Sequence, residues 1–406
     1  MVRAAAKNHA NVAIVTSPDR YDEVVAALDS PEGLDDGLRR RLALEAFAHT
    51  AAYDARIAAE LPGRLVDAGL LPPSEDPYPP SISIALEKVE TLRYGENPHQ
   101  PAARYRRPGS TLADGPFSVA RGPLQGKALS YNNVLDAAAA SALGRALCGP
   151  GVVIVKHTNP CGAAERGSLP DAWDAALEAD PVSAFGGVVA LTRPVDRATA
   201  ERLVSIFLEI VVAPAYDPAA LEVLATKPNL RVLLDEVLAD DDAPDDWPDP
   251  TGSIRTAGGA VLVTATDATR DDRTTWTCAT RRAPTDAEQG DLDLAWRLVR
   301  GVTSNAIVLV RDRRLVGMGS GQTSRVDAAR QAVAKAHAML GTASTEGASC
   351  GSDAFFPFPD AVEVCITAGV TAFVQPGGSV HDADAVAAVD SAGGTMLLTG
   401  VRHFRH

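Results

Sequence analysis

The chain reads as an α/β protein whose sheets are buried between layers of helix. From Ile84 onward, short apolar runs alternate with helical patterns, and the runs are rich in Val, Ile and Leu. The strand–turn–helix plan also recurs in both halves of this stretch, which hints at two similar subdomains.

In order, the opening holds one strand-like run, Val12–Val15, and a helical pattern from about Asp35 to Leu61. The segment "LPGRLVDAGLLPPSEDPYPPSIS" that follows is dense in Pro, Gly and acid and reads as a linker, placed at residues 62–83. One strand and a few helices make little core, so residues 1–61 look like the tail of a larger domain. Strand-like runs then fall at 152–155, 186–191, 209–214, 260–265 and 305–310. Helical patterns fall at Asp171–Ala179, Ala198–Phe207, Asp286–Arg300, Val326–Ala338 and Ala383–Ala392. These belong to a domain over residues 84–406. The acidic run at 238–250 lacks periodicity and reads as a surface loop.

The 406 residues are 46% apolar and 22% charged, ordinary for a soluble globular protein. No window is apolar enough to cross a bilayer, and the N-terminus lacks the order of a signal peptide. Five scattered cysteines, never spaced CxxC, suit reduced thiols in the cytoplasm rather than a disulfide framework or zinc ribbon. The net charge of −14, with cations set singly beside turns, argues against nucleic acid and for small anionic ligands.

Strand ends feeding turns are where open α/β sheets place ligand sites. In "VIVKHTNPCG" an apolar run stops on Lys156 and His157. Histidine, with an unperturbed pKa of about 6.5, suits general-base work, and a neighbouring ammonium favours its neutral form. On this motif alone an exposed strand-end Lys-His pair is the simpler reading. "GMGSGQTSR" sets three glycines before a helix that Ser324 could cap. It is either an anion cradle completed by Arg325 or a glycine-rich turn before a capped helix. "SDAFFPFPD" gathers three phenylalanines: either Phe355, Phe356 and Pro357 wall a slot for a flat ring edged by Asp353 or Asp360, or the cluster fills core, a reading that the flanking acids and prolines weaken. "RYGENPHQ" is too polar to be core, so Arg93 and Tyr94 either face a ligand or lie in an exposed turn. Arg402 follows an apparent strand, "TMLLTG", near the basic terminus. Metal binding has little support: there is no HxxxH pair, and Cys161 has no second cysteine three residues on.

Together, "RYGENPHQ", "KALSYNN", "VKHTNPCG", "SAFGG", "GSGQTSR", "SDAFFPF" and "RHFRH" stand in the order of one family. From about Leu92 to His406 the chain resembles the formyltransferase domain of the AICAR transformylase/IMP cyclohydrolase family. The resemblance implies formyl transfer from 10-formyltetrahydrofolate to the 5-amino group of AICAR (phosphoribosylaminoimidazolecarboxamide), giving FAICAR in purine biosynthesis. It makes His157 the base, Lys156 the group that stabilises or protonates the folate side, and Asn305 the orienter of the histidine and formyl group. Arg93, Tyr94 and Arg402 would grip the AICAR phosphate and ring. Asn133, Gly186, Glu209 and Phe355 fall at further AICAR-contact positions, though the match around Glu209 is looser. Gln322, Arg325, Phe358 and Asp360 would lie on or near the folate pocket. The implied fold is a duplicated, cytidine-deaminase-like α/β/α domain without zinc, in a homodimer with active sites at its interface. A potassium ion is an accessory the family admits, without ligands evident in the sequence.

The first 60 residues resemble only the closing part of the family's methylglyoxal-synthase-like cyclohydrolase domain. "RAAAKNH" and "AFAHTAAYDARIA" carry this, with Lys7 at an active-site lysine. The phosphate loop and other catalytic residues of that domain are missing, so cyclohydrolase activity is expected to be absent, and Met1 need not be the natural start. Two rivals remain: an inactive purine-nucleotide-binding or assembly subunit of the same fold, and a zinc deaminase. Intact Lys156, His157 and Asn305 weigh against the first, and the missing ligands against the second.

Overall fold

The structure, a computed structural model, describes residues 1–106, 123–239, 253–265, 267 and 272–406. Most of the acidic run at 238–250 lies outside them. The chain divides into two compact units, Met1–Glu90 with Arg104–Ser110, and Thr91–Ala103 with Thr111–His406.

The first unit contains α1 (Val2–Lys7), α2 (Tyr21–Leu28) and α3 (Asp36–Asp67). Asp35 caps α3 by accepting the Leu38 amide. A small core of Ala6, Ala43 and Ala46, flanked by Ile14 and Phe47, joins α1 to α3. Two features differ from expectation. Val12–Val15 is not a strand, because no described segment offers it a ladder of backbone partners. Helix α3 continues through Pro62 to Asp67, into the expected linker. Arg56 and Arg64 both pair with Glu60 one turn away, which supports the helix across the proline's missing N–H.

Strands β1 (Glu87–Leu92) and β2 (Ala102–Arg106) form a two-stranded sheet. In the second unit come α4 (Tyr131–Arg145), β3 (Gly151–Lys156), β4 (Asn159–Glu165), α5 (Leu169–Ala179) and α6 (Pro181–Ala184). Then follow β5 (Gly187–Leu191), α7 (Arg197–Leu203), β6 (Leu208–Ala213), α8 (Pro218–Leu224) and β7 (Arg231–Leu234). A hairpin, β8 (Ser253–Ala257) and β9 (Ala260–Thr264), and the short β10 (Thr277–Cys278) precede a second series. That series is α9 (Asp286–Val299), β11 (Ile307–Arg311), β12 (Arg314–Gly319), α10 (Arg325–Leu340) and β13 (Ser349–Ser352). It closes with α11 (Asp360–Thr367), β14 (Ala372–Gln375), α12 (Asp382–Ser391) and β15 (Thr395–Leu398).

Among the described residues, eleven strands make one mixed sheet in the order β10-β15-β14-β13-β11-β12-β4-β3-β5-β6-β7. Outward from the central β12–β4 pairing, both halves run alike: an antiparallel hairpin, an antiparallel neighbour, then two parallel strands. Side chains alternate across the sheet, so Val153 and Val155 pack under α4 while Val152 and Ile154 pack under α5 and α7. A single core beneath α4 and α9 crosses both halves, whereas α5 to α8 and α10 to α12 cover the other face in two separate clusters. Burial on both faces explains why these strands read as continuous apolar runs.

The halves also correspond in detail. Ser168 caps α5 through the Asp171 amide, and Ser324 caps α10 through the Asp327 amide. Gly162, fourth in β4, and Gly317, fourth in β12, let those helices lie against their strands. A Cβ there would stand 2.1 Å from the Ala176 oxygen and 2.2 Å from the Ala332 oxygen. The glycines of "GMGSG" thus begin as packing residues, with Gly317 and Gly319 under α10.

Candidate active site

Strands β3 and β4 join through the two-residue turn His157-Thr158, with Lys156 paired to Asn159. Both turn residues are left-handed, at φ 53° and 62°. Positive φ at both centres matches the twist of a hairpin but usually recruits Asn or Gly, and a β-branched Thr there costs on the order of 1–2 kcal/mol. Neighbouring side chains hold the turn. Asp136 of α4 accepts the Thr158 amide at 2.8 Å, the Asn159 side chain donates to the His157 carbonyl at 3.0 Å, and Arg405 donates to the Thr158 carbonyl at 3.3 Å. Burial raises the Asp136 carboxyl above its usual pKa, against the opposing pull of the Thr158 and His157 amides and of the His157 and Lys156 charges. Burial also lowers the Arg405 guanidinium. The imidazole of His157 is left exposed at the tip.

Lys156 is half-buried and donates to the Phe185 carbonyl at 2.5 Å. Beside it, Gly186 has φ 72°, and a Cβ there would lie 3.8 Å from the Lys156 Nζ. Phe185 and Phe207, both exposed, stack obliquely with centroids 5.3 Å apart. No local signal in the sequence marks this pair, because its two members stand far apart in the chain and only the fold brings them together.

Asn305 lies on the segment leading into β11. Its side chain donates to the Gln322 carbonyl and accepts from Arg325, both at 2.9 Å. Arg325 is buried: its guanidinium also meets Asp353 at 2.5 Å and the Ser352 hydroxyl at 2.8 Å. Asp353, fully buried, further accepts the Ala306 amide at 3.1 Å and the Ser304 hydroxyl. This network fixes Asn305 from behind. Asn159 ties it to the hairpin, accepting the Thr303 amide at 2.9 Å.

Lys156 and His157 open onto a cavity of about 270 Å³ between the halves, whose far wall includes Gln331 and Lys335 of α10. Lys335 meets Asp180 at 2.5 Å. Burial works to raise the Asp180 carboxyl, but Lys335 and Ser183 outweigh it and hold its pKa below the usual range. Cys161 in the cavity wall has its thiol pushed up to about 12, by burial first and then by Asp180, which makes it a poor nucleophile at neutral pH.

The remaining expected residues lie in varied settings. Arg93 is exposed and donates to the Tyr94 hydroxyl at 2.8 Å, over whose ring it also lies. Asn133 is buried in a capping box with Ser130 at the start of α4. Glu209 pairs with the buried Arg231 at 2.6 Å. Arg402 is exposed above the Phe404 ring. Phe355 is half-buried, whereas Phe356 is wholly buried against Phe373. Phe356 therefore belongs to the core beneath α10 and α11 and not to a slot wall: its amide donates to the buried Gln375 side chain of β14 at 3.1 Å, which holds the ring inside. Phe358 is exposed beside His381, and Asp360 begins α11. Lys7, in the other unit, sits exposed in the last turn of α1.

Among the described residues no three His, Cys, Asp or Glu side chains gather in a metal-binding group, and no helix is long and apolar enough to cross a membrane.

Residues 5–335 match the family described as AICARFT/IMPCHase bienzyme. The whole chain is 47% identical to 76% of the bifunctional purine biosynthesis protein PurH of Sorangium cellulosum. It is 46% identical to 76% of the PurH of Anaeromyxobacter dehalogenans, and 41% identical to 75% of that of Bacillus mycoides. Identity at this level along all 406 residues places the chain in the AICAR transformylase/IMP cyclohydrolase bienzyme family.

Proposed function

We propose that the chain is an AICAR formyltransferase of purine biosynthesis. The observation that carries the reading is a Lys-His turn, held in a left-handed conformation at the edge of a cavity, that Asn159 ties to the segment bearing Asn305. The AICAR amine is a weak nucleophile, its lone pair delocalised into the imidazole and carboxamide. His157 accepts the amine proton as nitrogen attacks the formyl carbon. Asn305 orients the histidine and formyl oxygen while negative charge gathers there. As the bond from the formyl carbon to the folate nitrogen breaks, Lys156 stabilises or protonates that nitrogen, releasing tetrahydrofolate and FAICAR.

Arg93, Tyr94 and Arg402 bind the AICAR phosphate and ring in this reading, with Asn133, Gly186, Glu209 and Phe355 near them. Gln322, Phe358 and Asp360 border the folate, and Arg325 acts there by holding Asn305. The repeated strand order supports assigning residues 84–406 to a duplicated cytidine-deaminase-like domain, working without zinc as a cytoplasmic homodimer with sites at its interface. Residues 1–61 are assigned to the methylglyoxal-synthase-like cyclohydrolase domain, with Lys7 at a lysine of its active site and 62–83 as linker.

The test is a spectrophotometric assay of tetrahydrofolate formed from AICAR and 10-formyltetrahydrofolate, followed by analysis of the purine product. Tetrahydrofolate and FAICAR are the expected products. A folded dimer that turned over no folate would instead favour an inactive nucleotide-binding subunit.

A further inference from the structure

We propose that Asp136 is a positioning residue for His157, acting through the backbone of its turn and touching no substrate. This rests on the assignment of His157 as the base.

The two halves provide an internal comparison. In the second, β11 and β12 join through Asp312-Arg313, both left-handed at φ 52°, with Arg311 paired to Arg314. Asp291 of α9 accepts the Asp312 amide at 2.9 Å and the Arg313 amide at 2.6 Å. Asp136 and Asp291 occupy the same place in their helices, sixth in α4 and sixth in α9, and the same spacing separates each from its turn. Burial raises the carboxyl pKa of both. An aspartate that reaches from the first helix and gathers the amides of a left-handed turn is therefore part of the repeat itself. Only one copy carries Lys-His; the other carries Arg-Asp in the same register.

In the first half this clamp has acquired a second consequence. His157 has a single-bond lever onto the turn, so the φ of the turn sets where its imidazole points. The His157 carbonyl is taken by Asn159 and the Thr158 carbonyl by Arg405, which leaves Asp136 as the partner for the amide side. Without it the left-handed pair relaxes and the imidazole swings from its line of attack, while groups that bind AICAR elsewhere are untouched. A misplacement of about 1 Å is enough to lower turnover by about 100-fold.

The experiment compares Asp136→Ala and Asp136→Asn with Asp291→Ala and Asp291→Asn in the full chain, with His157→Ala as reference. Tetrahydrofolate release and thermal unfolding are followed for each. Asp136→Ala should lose about 100-fold in kcat with KM for AICAR nearly unchanged, and Asp136→Asn, which keeps one acceptor oxygen, should recover part of the loss. The Asp291 variants should lower the unfolding temperature comparably and leave kcat within about threefold, as expected of a clamp remote from the reacting atoms. Should Asp136→Ala not fold, the isosteric Asp136→Asn carries the comparison. Equal effects of the two pairs on kcat, or wild-type kcat in folded Asp136 variants, would overturn the proposal. Lost turnover in His157→Ala alongside intact Asp136 variants sinks only the clamp; persistent turnover in His157→Ala sinks the base assignment itself.

Discussion

The side-chain oxygen of Asn159 accepts the Thr303 amide at 2.9 Å, so the hairpin that carries His157 is tied directly to the segment that carries Asn305. The same side chain donates from its nitrogen to the His157 carbonyl. One amide group thus joins two pieces of the site that lie far apart in sequence. Asn159→Ala should release both, destabilising the chain by about 1–2 kcal/mol. Turnover should fall by about 10-fold or more, because relative placement is what proximity catalysis needs. Asn159→Asp keeps the acceptor for Thr303 and loses the donor, so its kcat should lie between. Steady-state kinetics with urea unfolding decide this, and a silent Asn159→Ala would show that the tie is incidental.

His157→Ala should abolish formyl transfer and largely spare AICAR binding, since the exposed imidazole is assigned to proton transfer and the phosphate grip lies elsewhere. Calorimetric titration with AICAR beside the tetrahydrofolate assay separates the two. Near-normal turnover would reject the base assignment.

Gly186 needs its left-handed backbone and stands against Lys156. Gly186→Ala should cost on the order of 1–2 kcal/mol in backbone strain. Its methyl would also stand at contact distance from the Lys156 ammonium, so kcat should suffer more than a surface substitution of equal stability loss. If activity merely tracked unfolding temperature across both kinds of variant, the contact with Lys156 would have no catalytic meaning.

How far these features were legible in the sequence follows from how local they are. The buried strands announced themselves because burial on both faces needs continuous apolar runs. Ser324 as a helix cap is a three-residue signal. Lys156-His157 was visible as a strand end, but the left-handed turn was not, because His-Thr lacks the Asn-Gly signature of such turns. Its conformation is imposed by Asp136, Asn159 and Arg405, which only the fold brings together. Val12–Val15 failed as a strand for the complementary reason: propensity is local, whereas a ladder requires a partner. Phe356 and Arg325 both sit in polar or loop-like contexts yet are buried, one held by Gln375 and Phe373 of β14 and the other by Asp353.

The Arg325–Asp353 pair is wholly buried and each member has further partners. Removing one charge leaves the other without compensation, so Arg325→Met should destabilise the chain by about 3–5 kcal/mol. Arg325→Lys should not restore function, because one ammonium cannot serve Asp353, Ser352 and Asn305 through a planar fork. Chemical unfolding gives the first quantity and the folate assay the second. A fully active Arg325→Lys would mean that Asn305 is held without the fork.

Glu288 at the start of α9 receives two hydrogen bonds of 2.7 Å from Arg282, one to each oxygen, and others from Thr285 and Thr371. The Arg282 hydrogen bond leads in holding its carboxyl down at about 2, against burial, from an ordinary 4.5. Because the folded value is depressed, the stabilisation is complete above the unfolded pKa and fades as pH falls from about 4.5 toward 2. Glu288→Gln keeps the size but removes the charge, and at pH 7 should cost about 1.5–3 kcal/mol, the range for hydrogen bonds to charged groups. Urea unfolding of both proteins across pH should show a constant gap above pH 6 that narrows through the acid range as the wild-type carboxyl is protonated. A gap that stayed level down to pH 3 would assign the loss to packing around the side chain and not to its ionised pair with Arg282.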